Sequence, residues 1–215
     1  MSDDGRETVP RLMLIADGFV TGRPELDAAS IRQRILALVA AGVPWVSLRD
    51  HDASPEDFLS TAAPLAQRLR REDLGVLLSV HGRVDAAYRL ASGLHLGWRN
   101  AEEDVDLARL GGPLGVSVHS ATAARHAQRA GADYVTFSPV FETRTHPDAV
   151  PTGIDPLRLA VETVEIPILA LGGMTPPRAR IAGLVGAHGA AAIASLLFAW
   201  DETETVRQFL DAVRQ

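Results

Sequence analysis

Seven histidines and 21 basic side chains carry most of the chemical possibility in this 215-residue chain. Every one of those basic residues is Arg, and both Lys and Cys are absent. Without an ε-amine there is no Schiff base, no lysine-anchored pyridoxal phosphate and no P-loop lysine. Without a thiol there is no cysteine nucleophile, disulfide, thiolate zinc site or Cys-ligated iron–sulfur cluster. His, Asp, Glu, Ser, Thr, Tyr, Arg and the backbone amides remain. Neutral imidazole can take a carbon-bound proton and return one near pH 7, which singles out His119 in Ser117-Val118-His119-Ser120. Gly172-Gly173-Met174-Thr175-Pro176, with Ala194-Ser195 further on, has the glycines and amides of an anion site. Arg49 and Arg83 offer planar forks for a carboxylate or phosphate, or equally for a neighbouring acid such as Asp17 or Asp50. No helical H-x-x-x-H pair is present, so neither a zinc site nor any other metal is expected.

These residues need a scaffold, and the hydrophobic pattern supplies one. Short apolar runs occur at Arg11–Ala16, Pro44–Arg49, Gly75–Val80, Leu94–Leu96, Leu114–Val118, Asp133–Phe137, Ile166–Leu171 and Gly189–Ala194. Most lack an alternating polar face, as parallel strands covered on both sides do. Their starts lie 19 to 33 residues apart, room each time for a helix and two loops. Leu26–Ala41 carries Ile31, Ile35, Leu38 and Val39 at helical spacing before Gly42. Ser54-Pro55-Glu56-Asp57 reads as an N-cap, a first-turn Pro and two acids at the positive helix end. Ala121–Ala130, a helix opening at Thr175-Pro176-Pro177, and Asp201–Arg214 complete the pattern. Eight such units predict an α/β fold, a single (β/α)₈ TIM barrel over residues 11–215 behind a flexible tail at 1–10. A doubly wound open sheet is the main competitor. Ser138–Gly153, rich in Pro, Thr and charge, is the one long connection and reads as a functional lid.

The formal charge of −6 argues against a nucleic-acid partner. No apolar run approaches a membrane span, and the polar start lacks a signal peptide's core, so a cytoplasmic protein with no membrane partner is expected. Phe198 and Trp200 near the last helix suggest a homo-oligomer.

In a barrel of this kind chemistry sits where strands end and loops begin. That face receives Asp17, Arg49, His51, His81, Arg83, Ser117, His119, Thr143, Thr145, His146, Gly172, Gly173, Ala194 and Ser195. Phosphate between strands 7 and 8 is the favoured reading of the glycine turn, against a mere tight turn. His126 and His188 fall on or beside helices, and His95 reads as a satisfied histidine inside the short fourth strand.

Nearly the whole chain from Arg11 resembles the thiamine-phosphate-synthase-like barrels of thiamine biosynthesis. The resemblance is carried by Trp45-Val46-Ser47-Leu48-Arg49-Asp50, His95-Leu96-Gly97, Gly115–Ser120, Gly131–Val135, Pro139–Thr145 and Ala170–Met174, in that order. It implies a phosphate-binding barrel enzyme. The family's synthase branch joins a pyrimidine diphosphate to a thiazole phosphate with Mg²⁺. Here the family's Asn-Asp-Arg after strand 3 is His81-Gly82-Arg83, and its Gln-x-Asp after His-x-Gly is Trp98-Arg99-Asn100. Two family lysines stand as His51 and His146. Ser117–Ser120, Phe141-Glu142-Thr143 and Gly172–Pro176 look closest to the thiazole tautomerase branch, in which the His at the position of His119 is the acid/base.

The resemblance therefore implies a metal- and cofactor-free isomerase whose partner is a small thiazole phosphate. His119 is the catalytic residue, with Arg49, His81, Arg83, Ser117, Thr143, Thr145, Gly172, Gly173, Ala194 and Ser195 binding substrate. The alternatives are a divergent thiamine-phosphate synthase, a non-catalytic thiazole- or thiamine-phosphate-binding barrel, and an unrelated phosphosugar isomerase.

Overall fold

Strands form where the apolar runs lie, and each is followed by a connection on the outside of a closed ring. The computed structural model describes residues 9–71, 75–98, 105–143 and 148–214. The strands are β1 (Leu12–Asp17), β2 (Trp45–Arg49), β3 (Leu77–His81), β4 (Gly93–Leu96), β5 (Leu114–Val118), β6 (Tyr134–Phe137), β7 (Ile168–Ala170) and β8 (Gly189–Ala192). All neighbours pair in parallel, and the barrel closes through Leu12 opposite Ala190. The open-sheet alternative is thereby excluded.

The helices are α1 (Ala28–Ala40), α2 (Pro55–Arg71), α3 (Val84–Arg89), α4 (Ala121–Arg129), α5 (Ile154–Val161), α6 (Pro176–Leu184), α7 (Ala194–Leu197) and α8 (Glu202–Val213). Several start on side-chain caps, of which Ser54 was legible in the sequence. Asp27, Ser54, Ser120 and Asp201 each accept a hydrogen bond from the backbone N–H three residues on, satisfying donors that the helix itself leaves orphaned. Between β4 and β5 the described residues include a 3₁₀ turn, Leu107–Arg109.

Two hydrophobic layers result from the period-2 pleat. Leu14, Val46, Val80, Leu94, Val116 and Val135 face outward against Ile31, Ile35, Phe58, Ala124, Leu157 and Phe209 of the helices. Met13, Ile15, Trp45, Tyr134, Leu169 and Ala191 fill the barrel itself. Tyr134 fits there because Gly115 stands beside it; a Cβ on Gly115 would lie 2.0 Å from the Tyr134 ring. No described helix is long and apolar enough to cross a membrane.

Candidate active site

The inward positions above the apolar plug are polar, an alternation that most of the apolar runs do not display in the sequence. Trp45 donates from Nε1 to Ser79 Oγ at 3.0 Å. His95 is fully enclosed, with Nδ1 2.9 Å from the Tyr134 hydroxyl and Nε2 2.9 Å from Ser117 Oγ. Thr136 Oγ1 closes the group, 3.3 Å from both His95 Nε2 and Ser117 Oγ. Burial, aided by the charge of Arg49, pushes the His95 pKa down to about 3, so the ring is neutral. It is the satisfied histidine that its sequence position suggested. Ser117, expected to bind substrate, instead has its hydroxyl committed to His95.

Charge enters one layer higher. Arg49 lies buried at the end of β2 and donates through Nε to Asp17 Oδ1 at 2.7 Å. Arg23, from the loop after β1, pairs with the other oxygen, Oδ2, of the same carboxylate. Burial lowers the Arg49 pKa to about 10, which still leaves it charged at neutral pH. Two cations on one anion leave this trio with a net positive charge.

Asp50 is a staple rather than a ligand. It accepts from the amides of Val20 and Thr21 at 2.9 Å, from the Thr21 hydroxyl at 3.0 Å and from the amide of Ala53 at 3.2 Å. Burial works to raise its pKa, but the Thr21 and Val20 amides, with the Thr21 hydroxyl, outweigh it and hold the carboxylate low.

Arg83, the second expected substrate fork, is likewise spent on structure. Its Nη2 donates to the carbonyls of Asp50 at 2.9 Å and Ala53 at 2.5 Å, and its guanidinium lies 4.6 Å over the Phe58 ring. Chain position put Arg83 at the mouth; its side chain turns back onto the loop after β2. His81 stands between His51 and His95, with ring centroids 5.7 and 4.9 Å away. Its buried Nδ1 has no hydrogen-bond partner among the described residues. Burial first, and after it the charge of Arg49, depress its pKa well below the usual value.

His119 is exposed on the catalytic face just beyond β5, immediately ahead of the Ser120 cap of α4. Its Nδ1 lies 2.5 Å from the carbonyl of Ser138. A carbonyl only accepts, so Nδ1 carries the proton and Nε2 of the neutral ring holds the free lone pair. The Trp98 ring sits edge-on at 6.2 Å between centroids.

The next residue after that carbonyl, Pro139, packs against Gly172, where a Cβ would come within 2.7 Å of Pro139 Cα. Gly172 (φ +99°) and Gly173 (φ +60°) then form the wall of a pocket of about 310 Å³. Thr143, Gly172, Gly173, Ala194 and Ser195, all expected at a phosphate site, line it together. The amides of Gly173, Ala194 and Ser195 donate to no carbonyl among the described residues. Arg178 is a lining residue that sequence reasoning missed. It donates from Nη1 to Gly173 O at 2.7 Å, and its guanidinium lies 4.9 Å over the Phe141 ring. The signal was available in Thr175-Pro176-Pro177-Arg178, which puts an arginine in the first turn after the glycines. Thr145 and His146, like Arg99 and Asn100, lie outside the described residues.

The described carboxylates at the mouth fit a divalent cation poorly. Among the described residues no three His, Asp or Glu side chains converge as a ligand group. Asp17 is neutralised by two arginines and Asp50 is consumed by amides, so neither offers the hard anionic oxygens that Mg²⁺ prefers.

Three comparisons bear on this geometry. A family model described as thiamine monophosphate synthase matches residues 18–196. Thiamine-phosphate synthase of Syntrophomonas wolfei is 36% identical over 197 residues, covering 88% of this chain and 93% of that protein. The Chloroflexus aurantiacus thiamine-phosphate synthase is 37% identical over 206 residues, with 92% and 90% covered. Among solved structures, thiamine phosphate pyrophosphorylase from Pyrococcus furiosus superposes with a TM-score of 0.77 at 27% identity, covering 94% of this chain and 95% of that one.

Proposed function

The chain belongs to the thiamine monophosphate synthase family, and within it we propose that this barrel is a thiazole tautomerase, aromatising a carboxylated thiazole phosphate by proton transfer without a metal. One observation carries the reading. His119 presents a basic Nε2 at the mouth because the Ser138 carbonyl fixes the proton on Nδ1, while the nearby carboxylates are tied up by cations and amides.

The substrate is a non-aromatic thiazole with a 2-carboxylate and an exocyclic ylidene-ethyl phosphate. The amides of Gly173, Ala194 and Ser195, the Thr143 side chain and the Arg178 guanidinium hold its phosphate. Arg49 attracts the carboxylate. His119 Nε2 takes the proton from ring C2. The electron pair left behind moves through the ring to the exocyclic carbon, which takes a proton back from Nε2. One C–H bond breaks, one forms, and nothing is oxidised. The ring's aromaticity drives the change.

A second reading rests on the relatives, which are named thiamine-phosphate synthases and cover most of the chain. A synthase would release pyrophosphate from a pyrimidine diphosphate and would need Mg²⁺. The two are separated by one pair of assays. The purified protein is given the ylidene thiazole carboxylate phosphate with and without EDTA, and aromatic absorbance is followed. In parallel it receives pyrimidine diphosphate, thiazole phosphate and Mg²⁺, and pyrophosphate is measured. Chelator-insensitive aromatisation supports the tautomerase; EDTA-sensitive pyrophosphate release with no aromatisation replaces it by the synthase. Binding of thiazole phosphate with neither turnover leaves the non-catalytic barrel.

A further inference from the structure

From the construction of the loop after β1 we infer that Arg23 grips the substrate's carboxylate and so selects the carboxylated ring. The inference rests on the thiazole reading above and deepens it. Other arginines at this face are placed differently. Arg49 is buried, Arg83 donates to loop carbonyls, and Arg178 lines the glycine pocket. Arg23 keeps 33% of its side chain exposed and lines a second cavity, of about 470 Å³.

The two cavities adjoin. Ile193, Ala194 and Phe198 line both, with Arg178 on one side and Arg23 and Asp17 on the other. A ligand laid across Ile193 and Phe198 therefore has a guanidinium at each end. That arrangement suits a flat ring bearing two separated anions, and the carboxylated thiazole phosphate is such a molecule. Glu25 also lines the second cavity, but it is exposed, where solvent and salt screen its charge.

The loop holds this cation still. Its guanidinium contacts Asp17 Oδ2, while Arg49 holds Oδ1 of the same carboxylate. Arg23 and Leu26 exchange two backbone hydrogen bonds, at 2.8 and 3.1 Å, and the Gly22 amide donates to Gly18 O at 2.8 Å. Just ahead, Asp50 accepts from the amides of Val20 and Thr21. Gly18 has φ +78°, and a Cβ there would come 2.9 Å from Arg23 Cγ, so the bare glycine lets the arginine stem lie against the turn. Among the described residues Asp17 is the guanidinium's ion-pair partner, engaged through Nη2, and the fork has further donors for a ligand. A cation fixed in advance loses little freedom on binding, so more of the contact appears as affinity.

The test titrates two probes into the full-length protein by calorimetry: aromatic thiazole phosphate, and the same molecule carrying a 2-carboxylate. The wild type is expected to prefer the carboxylated probe. Arg23→Gln should weaken that probe about 10- to 100-fold, the loss of a charged contact, and leave the other unchanged. Arg23→Lys should recover part of the preference, since a point charge replaces a two-pronged fork. Arg178→Gln, at the phosphate end, should weaken both probes alike. With the ylidene substrate, Arg23→Gln should raise KM more than it lowers kcat. If Arg23→Gln does not fold, Arg23→Lys decides by the same ratio of affinities. Equal weakening of both probes, or a variant that keeps the wild-type preference, overturns the assignment and leaves the thiazole reading intact. A wild type that binds neither probe overturns both.

Discussion

Replacing Gly173 by Ala combines two penalties that a second glycine allows to be separated. Gly173 has φ +60°, and a Cβ there would sit 2.1 Å from the Glu142 carbonyl oxygen and 2.9 Å from Arg178 Nη1. Gly75 has nearly the same backbone, φ +58°, yet a Cβ there meets nothing within 4 Å. Gly75→Ala therefore carries the left-handed backbone cost alone, about 1–2 kcal/mol. Gly173→Ala adds the cost of overpacking against backbone that cannot swing aside, about 1–3 kcal/mol. The total of about 2–5 kcal/mol corresponds to a Tm fall of roughly 4–20 °C in a domain of this size, against roughly 2–8 °C for the control. Relief of the clash moves Glu142 or Arg178, both of which line the anion pocket. Phosphate binding by Gly173→Ala should then weaken about tenfold, the loss of one good polar contact, and by Gly75→Ala not at all. Urea unfolding followed by circular dichroism and calorimetric titration with thiazole phosphate measure the two effects. Variants equal in stability, both binding phosphate like the wild type, would refute the assignment of this turn to an anion.

The remaining expectations concern the acid/base, the anion and pH. His119→Asn should lower kcat about 10²–10⁴-fold with little change in Tm, since the ring is exposed; full turnover by a folded variant removes His119 from the mechanism. Arg178→Gln should raise KM for the phosphorylated substrate about 10- to 100-fold and spare kcat, whereas a substrate analogue lacking the phosphate should not register the change. Stability should fall with acid before the carboxylates titrate. His95 holds a pKa of about 3 when folded against 6.5 when unfolded. The unfolded chain therefore binds the extra proton, and this contribution is complete above pH 6.5 and lost as pH falls toward 3. His81, also depressed, adds in the same direction. The slope is about 1.4 kcal/mol per pH unit for each neutral ring, and identical urea midpoints at pH 7 and pH 5 would contradict it.

The barrel was legible because outward-facing strand residues are apolar in every strand and turn residues punctuate them. Leu114–Val118 was bounded as the structure has it, and the other strands differ by a residue or two at their ends. The inner wall was hidden. Ser47, Ser79, His95, Ser117 and Thr136 interrupt apolar runs singly, and a lone polar residue among Val and Leu does not announce a shared interior network. Side-chain direction was equally out of reach. Arg49 ends β2 and Arg83 lies two residues past β3, yet only the side chains show that one pairs with Asp17 inside the mouth and the other with loop carbonyls. Arg178 escaped because attention to glycines and amides treats an anion site as backbone, and the guanidinium one turn later was passed over.

The sequence departures after β3 and the charge arrangement of the mouth bear on one another. With Gly82 after β3 in place of the acid that the resemblance leads one to expect, Asp17 is a buried carboxylate at the mouth, and it is shared by Arg49 and Arg23. Such a mouth is electropositive before any ligand arrives, which favours a polyanion and disfavours a cation. A pyrophosphate-releasing reaction would have to neutralise a charge that grows on the leaving group. A tautomerisation moves a proton between two carbons of one molecule and leaves the substrate's charge as it was. On the proposed reading, the fixed arginines need only balance a phosphate and a carboxylate that are present throughout. One neutral imidazole, held by a backbone carbonyl, then suffices for the step. The same logic explains why His81 and His95 must remain neutral: a protonated ring there would stand among Arg49 and its neighbours with no carboxylate left to share.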